Sequence, residues 1–124
     1  MKELTWKYVK ALKNQDTVDE FLRKYNITLP TELVKCVTVN NGGRPSVKIF
    51  DTDKGKEYVF KALLSYNADD TESIHTVYPK LFEGMKLFPI GSDTSGNFVC
   101  YDLVTGEYVL WKHETNSKEV IVLV

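Results

Sequence analysis

The chain has little of what metal, redox or nucleotide chemistry needs. Its 124 residues include two cysteines and two histidines. Cys36 and Cys100 are too few for a disulfide framework and lack the CxxC spacing of a metal site. Each lies among apolar neighbours and reads as a buried free thiol. His75 and His113 stand alone, neither four residues from another histidine, so zinc spacing is missing. No sign of charge dominates: 16 basic against 17 acidic residues leave a formal charge of -1. That removes the global electrostatic case for a nucleic acid or an anionic membrane. No long apolar run or leader-like start occurs, so a soluble cytoplasmic protein is expected. The one glycine pair, Gly42-Gly43, follows an expected helix instead of opening one, which excludes the phosphate-cradling turn. Asp51 to Lys56 suggests a calcium loop, but Lys56 and Ala62 occupy the positions that demand Gly and Glu. No cofactor or metal is expected.

What is present is the composition of a globular domain. At 43% hydrophobic and 27% charged residues, the chain can bury a core as one domain over 1–124. Leu4 to Lys13 carries Leu4, Tyr8, Val9 and Leu12 at helical spacing. Thr17-Val18-Asp19-Glu20 has the form of a capping box. Val18, Phe21, Leu22 and Tyr25 then supply one apolar helix face. Asn26 suits a left-handed stop, and Pro30 suits the first position of a helix over Thr31 to Val39, ended by Asn40-Asn41-Gly42-Gly43. Val47–Phe50 and Tyr58–Phe60 read as paired strands, the second continuing through Ala62–Tyr66. Asp69 and Glu72 have capping spacing before a central helix with Ile74, Val77, Tyr78 and Leu81 inward. Glu119 to Val124 is a last strand whose continuous apolar run predicts cover on both faces. Segregated helices and strands of this kind predict an α+β fold. N-terminal helices and one central helix would pack on a mainly antiparallel sheet of about six strands.

Leu87 to Trp111 is the most informative stretch. Asp93-Thr94-Ser95-Gly96-Asn97 and Val104-Thr105-Gly106-Glu107 are turn clusters between aromatic and β-branched runs, so two hairpins follow. Period-2 alternation puts Phe98 and Cys100 opposite Val99 and Tyr101, and Val109 and Trp111 opposite Tyr108 and Leu110. One set fills the core. The other, with Tyr101, Tyr108 and Trp111 as candidates, is free to meet a protein partner beside Asp93, Asn97 and Asp102. Those polar residues are first of all turn and strand-end hydrogen-bonding groups. Asp93, Asp102, His113 and Glu114 form the best acid–base set, and Ser92 and Ser95 lack a nucleophile elbow. No enzyme is expected.

Five segments in register carry a family resemblance. They are Trp6 near the start, Tyr25-Asn26-Ile27-Thr28-Leu29-Pro30-Thr31-Glu32-Leu33, Asn40-Asn41-Gly42-Gly43-Arg44-Pro45, and Glu72-Ser73-Ile74 with Tyr78. The fifth is Leu87-Phe88-Pro89-Ile90-Gly91 through Gly96-Asn97 to Asp102, followed by Val109-Leu110-Trp111-Lys112-His113-Glu114. In this the chain resembles the SUKH superfamily, with Asn26 where the family has Gly. The resemblance implies a non-catalytic α+β binding scaffold. Trp6, Pro30, Asn41, Gly42, Gly43, Gly91 and Gly96 would be structural positions. Bacterial members are immunity proteins that bind and block secreted polymorphic toxins, often nucleases; fungal members regulate cell-wall synthesis. A protein partner, without direct nucleic-acid or membrane contact, is therefore expected. Asp51, Asp53, Asp69, Asp70 and Glu72 would either cap and solvate loops or meet a basic toxin surface.

Overall fold

In a computed structural model that describes residues 5–122, the first departure from expectation comes at the N-terminus. No helix forms over the described part of Leu4–Lys13. Instead β1 (Trp6–Lys7) pairs antiparallel with β2 (Arg44–Pro45), Trp6 opposite Pro45. Tertiary partners take the backbone groups that a helix would have paired internally. The Lys10 N–H donates to the Asn41 carbonyl (2.7 Å), and the Asn67 amide holds the Ala11 carbonyl (3.0 Å) and the Lys13 N–H (3.0 Å). Leu12 is buried, whereas Tyr8 and Val9, expected on the same apolar face, are exposed.

Helix α1 (Thr17–Lys24) buries Val18, Phe21 and Leu22, the expected face. Its capping box does not form. Asp16 is the N-cap, the Thr17 hydroxyl donates instead to the Tyr66 carbonyl (3.3 Å), and Glu20 accepts from Asn14 (3.2 Å). Asn26 does take the left-handed conformation, at φ 56°. Pro30 is the N-cap of α2 (Thr31–Val39), one position before the one expected, and Leu33 and Val37 are buried. The β-branched end of α2 stays helical, with the Thr38 hydroxyl returned to the Val34 carbonyl (2.7 Å).

Six strands follow: β3 (Ile49–Thr52), β4 (Glu57–Leu63), β5 (Leu87–Asp93), β6 (Phe98–Asp102), β7 (Tyr108–Lys112) and β8 (Ser117–Val122). All neighbours are antiparallel, as expected for this α+β fold. The sheet also closes on itself, with β3 pairing β8 through Asp51–Val122 and Thr52–Ile121. Closure removes the exposed edges that an open sheet would present. It also corrects the expectation for β8. Glu119 is the buried residue, Val120 and Ile121 are half-buried, and Val122 is 43% exposed. Glu119 joins the closing strands, accepting from the hydroxyls of Thr52 (2.5 Å) and Tyr58 (3.2 Å) and from the Lys112 ammonium (3.2 Å).

The central helix begins at Ser73, four residues after Asp69. Ser73 is the N-cap of α3 (Ile74–Val77), its hydroxyl accepting from the His75 N–H (3.2 Å). Pro79 has no N–H to give the α ladder, and the chain continues as one π-helical turn, Tyr78–Phe82, closed by Glu83 N–H to the Tyr78 carbonyl (2.9 Å). The core lies where these helices pack on the strands. Phe21 meets Tyr66, Tyr78 and Phe88, and Phe82 meets Phe98 and Trp111. Among the described residues no helix is long and apolar enough to cross a membrane.

Candidate functional site

The candidate polar residues of the β5–β6 hairpin, Asp93 and Asn97, are bonded to the turn itself. Asp93 is buried, and its carboxylate accepts from the Ser95 N–H (2.9 Å), the Asn97 N–H (2.7 Å) and the Asn97 side-chain amide (2.9 Å). Gly96, at φ 84°, supplies the left-handed step of this turn. Gly91 answers to a different demand. A Cβ there would sit 2.5 Å from the Phe60 ring and 2.7 Å from the Ala62 carbonyl oxygen, so only glycine lets β4 and β5 approach.

Asp102 closes the next turn. It is 2% exposed and accepts from the amides of Val104 (2.9 Å) and Thr105 (3.1 Å) and from the Lys118 ammonium (2.7 Å). Burial alone would raise its pKa; the Lys118 ammonium and the two amides more than offset that and bring it down to about 2. A carboxyl with a depressed pKa stabilises the fold above its unfolded value, and that contribution is lost as pH falls from about 4 toward about 2. Asp102→Asn should therefore cost on the order of 2 kcal/mol at neutral pH. In urea unfolding the gap between wild type and variant should close on acidification through that window. A gap independent of pH would show that the charge is not what stabilises the turn.

Trp111 faces the core with Val109, its ring 4.8 Å from Phe82 and its Nε1–H donating to the Asn116 side-chain carbonyl (3.0 Å). The acids of the 69–72 loop are engaged as well. Asp70 accepts from the hydroxyl of Ser65 (2.7 Å) and the amide of Asn67 (3.1 Å), which keeps its carboxyl below the ordinary range despite partial desolvation. Glu72 accepts from Lys61 (2.8 Å) and Ser92 (3.2 Å), and exposed Asp69 pairs with Lys13. This loop is anchored by Asn41, which is fully buried. Its side chain donates to the Lys10 carbonyl (2.8 Å) and the Ser65 hydroxyl (3.1 Å) and accepts the Tyr66 N–H (2.7 Å). Asp102 and His113 lie at opposite ends of the β6–β7 ladder, four residue pairs apart, and form no acid–base pair. Among the described residues no group of three or more His, Cys, Asp and Glu is placed to hold a metal.

The opposite face of the β6–β7 hairpin carries the other half of the aromatic set. Tyr101 and Tyr108 are cross-strand partners with ring centroids 5.5 Å apart. Burial, with Tyr101, Cys36 and Glu32 nearby, raises the Tyr108 pKa above its ordinary range, so it presents a neutral hydroxyl. Tyr108 borders an apolar groove of about 330 Å³ between the β1–β2 ribbon and the barrel strands, with Trp6, Phe50, Phe60, Val99 and Ile121 in its walls. Val47 and Ile49, 48% and 60% exposed, stand on its rim. Sequence reading singled out Tyr108 and Trp6 but not Phe50, Phe60 or Ile121. Phe50 and Phe60 share a wall through the β3–β4 hairpin, and Ile121 joins them because β8 closes onto β3.

Fold and site together define a class: a small antiparallel barrel backed by short helices, with its hairpin acids committed to turns and an apolar groove left open. The family model described as SUKH_6, SMI1-KNR4 cell-wall, matches residues 15–122, and the chain belongs to that family. The resemblance seen in the five sequence segments is thereby borne out. No curated protein and no solved structure matches the chain.

Proposed function

We propose that the chain is a non-catalytic, cytoplasmic binding protein, an immunity protein that neutralises a cognate secreted toxin by stoichiometric occlusion. The observation that supports this reading, given the family, is the Tyr108 groove. Contiguous apolar surface of this kind, edged by aromatic residues, is characteristic of protein interaction sites. Tyr108, with Trp6 and Phe50, forms its aromatic edge, and Tyr101 packs on the Tyr108 ring without lining the groove itself. Asp69, exposed and paired with Lys13, lies outside the groove and acts at most in steering a basic partner, whereas Asn97, Asp70, Glu72, Asp93, Asp102 and Trp111 contribute through the fold.

Co-expression with the toxin encoded beside it should protect cells; failure to protect, together with no binding of the purified pair, sinks the reading. Tyr108→Ala should weaken the complex by roughly tenfold to a hundredfold, as an interface aromatic does, with the melting temperature unchanged. Titration calorimetry against thermal melting separates the two effects. A second reading, an adaptor in cell-wall synthesis, is favoured by the family's description. Pull-down of envelope-synthesis enzymes with no toxin encoded nearby would support it.

A further inference from the structure

A second cavity, of about 410 Å³, lies behind the β1–β2 ribbon, with Tyr8, Lys10, Gly42, Arg44, Lys61 and Glu72 in its walls. Trp6 and Pro45 of the ribbon line the apolar groove, while Arg44 and the adjoining Tyr8 line this cavity. Four non-glycine residues with positive φ occur among the described residues. Asn26 and Asn116 are of the type that tolerates the left-handed region. The other two, Tyr8 and Glu72, both at φ 58°, line this one cavity, together with Gly42 at φ 67°. Backbone strain at such residues persists where the surroundings over-determine it, and it concentrates at ligand sites.

The strained residues set the cavity's charge. Glu72 engages Lys61 at 2.8 Å and so cancels one of three cations. Among the described residues, Lys10 and Arg44 have no carboxylate within 4.0 Å. Asp70, whose charge reaches Lys10, is held by Ser65 and Asn67. The Arg44 guanidinium carbon lies 5.6 Å from the Tyr8 ring centroid, which orients the fork without neutralising it.

We propose that this cavity binds an anionic group, a carboxylate or a phosphate, between Lys10 and Arg44 and against the Tyr8 ring. Arg44 offers planar paired donors and Lys10 a point charge, the combination that recognises both kinds of oxyanion. The site is separate from the Tyr108 groove and does not rest on the toxin reading. It is tested on the free chain, so its failure and the failure of that reading are distinct results.

The experiment is a titration followed by backbone amide chemical shifts. Sodium phosphate and N-acetylglutamate are added separately, at ionic strength held constant with sodium chloride. Saturable shifts are expected at Tyr8, Lys10, Gly42, Arg44 and Thr71. Saturation by phosphate alone identifies a phosphate site, and saturation by N-acetylglutamate alone a carboxylate site. Arg44→Gln should weaken binding at least about tenfold, the loss expected for a charge-assisted pair. Lys10→Gln with Arg44→Gln should abolish it. Both side chains are exposed, so melting should not change, and Lys80→Gln, outside the cavity, should bind as wild type. No saturable shift from either anion, or shifts that survive the double substitution, would overturn the proposal.

Discussion

Trp111→Ala is expected to destabilise the chain by roughly 3–5 kcal/mol, the range for removing a large aromatic from a packed core. Its ring is 7% exposed, lies against Phe82 and shares a face with Phe98 and Val109. The substitution opens a cavity at the junction of the barrel and the π-helical turn. It also removes the donor to Asn116, which sits in the β7–β8 turn at φ 48°. Strand β8 closes the barrel, so loosening that turn weakens the contacts of Glu119 with Thr52 and Tyr58 as well. Urea unfolding should show a lower midpoint, while the remaining folded protein keeps its partner affinity. Lost affinity with a stability change under about 1 kcal/mol would place Trp111 in the interface instead.

Asn41→Ala is expected to cost a similar amount, about 3–5 kcal/mol, for a different reason. Here the loss is hydrogen bonding, not apolar volume. One buried amide serves the Lys10 carbonyl, the Ser65 hydroxyl and the Tyr66 N–H, and alanine satisfies none of them. Each buried group left unpaired costs about 1–3 kcal/mol. Asn41→Asp should not rescue the fold. It keeps the acceptor for Tyr66 but loses both donations and puts a carboxylate beside Ser65, which already donates to Asp70. Amide hydrogen exchange gives a local readout: the Tyr66 N–H should lose protection beyond what the lower global stability explains. Tyr66 protection that falls only in step with global stability would contradict this account of Asn41.

These two residues show how far the sequence is legible. Alternation puts Trp111 on the same face as Val109, as found, but alternation does not say which face meets the helices. That depends on Phe82, carried by a turn whose π geometry follows from Pro79. Asn41 was recognisable as a motif position, yet its partners are 24 to 31 residues away in sequence, and no local signal names them. The same network explains why no helix forms at the described N-terminus. Leu4–Lys13 has helical spacing, but Asn41 and Asn67 capture its backbone groups, and tertiary bonding overrides a weak local preference. The hairpins are legible because their turns are local chemistry. Asp93 bonds the amides of Ser95 and Asn97, Asp102 those of Val104 and Thr105, and Gly96 supplies a positive φ, while the Lys118 partner of Asp102, sixteen residues on, has no local signal. Closure by β3 and β8 is not, and with it goes the place of Ile121 in the groove wall beside Phe50 and Phe60.

If the Tyr108 groove is the protein-binding surface, hydrogen exchange of the chain with and without the toxin encoded beside it shows it directly. A complex should form in equal proportions, with new protection around Val47–Phe50, Tyr108–Leu110 and Ile121 and little change over α1 and α3. Absence of a complex, or protection confined to the helical face, would contradict it.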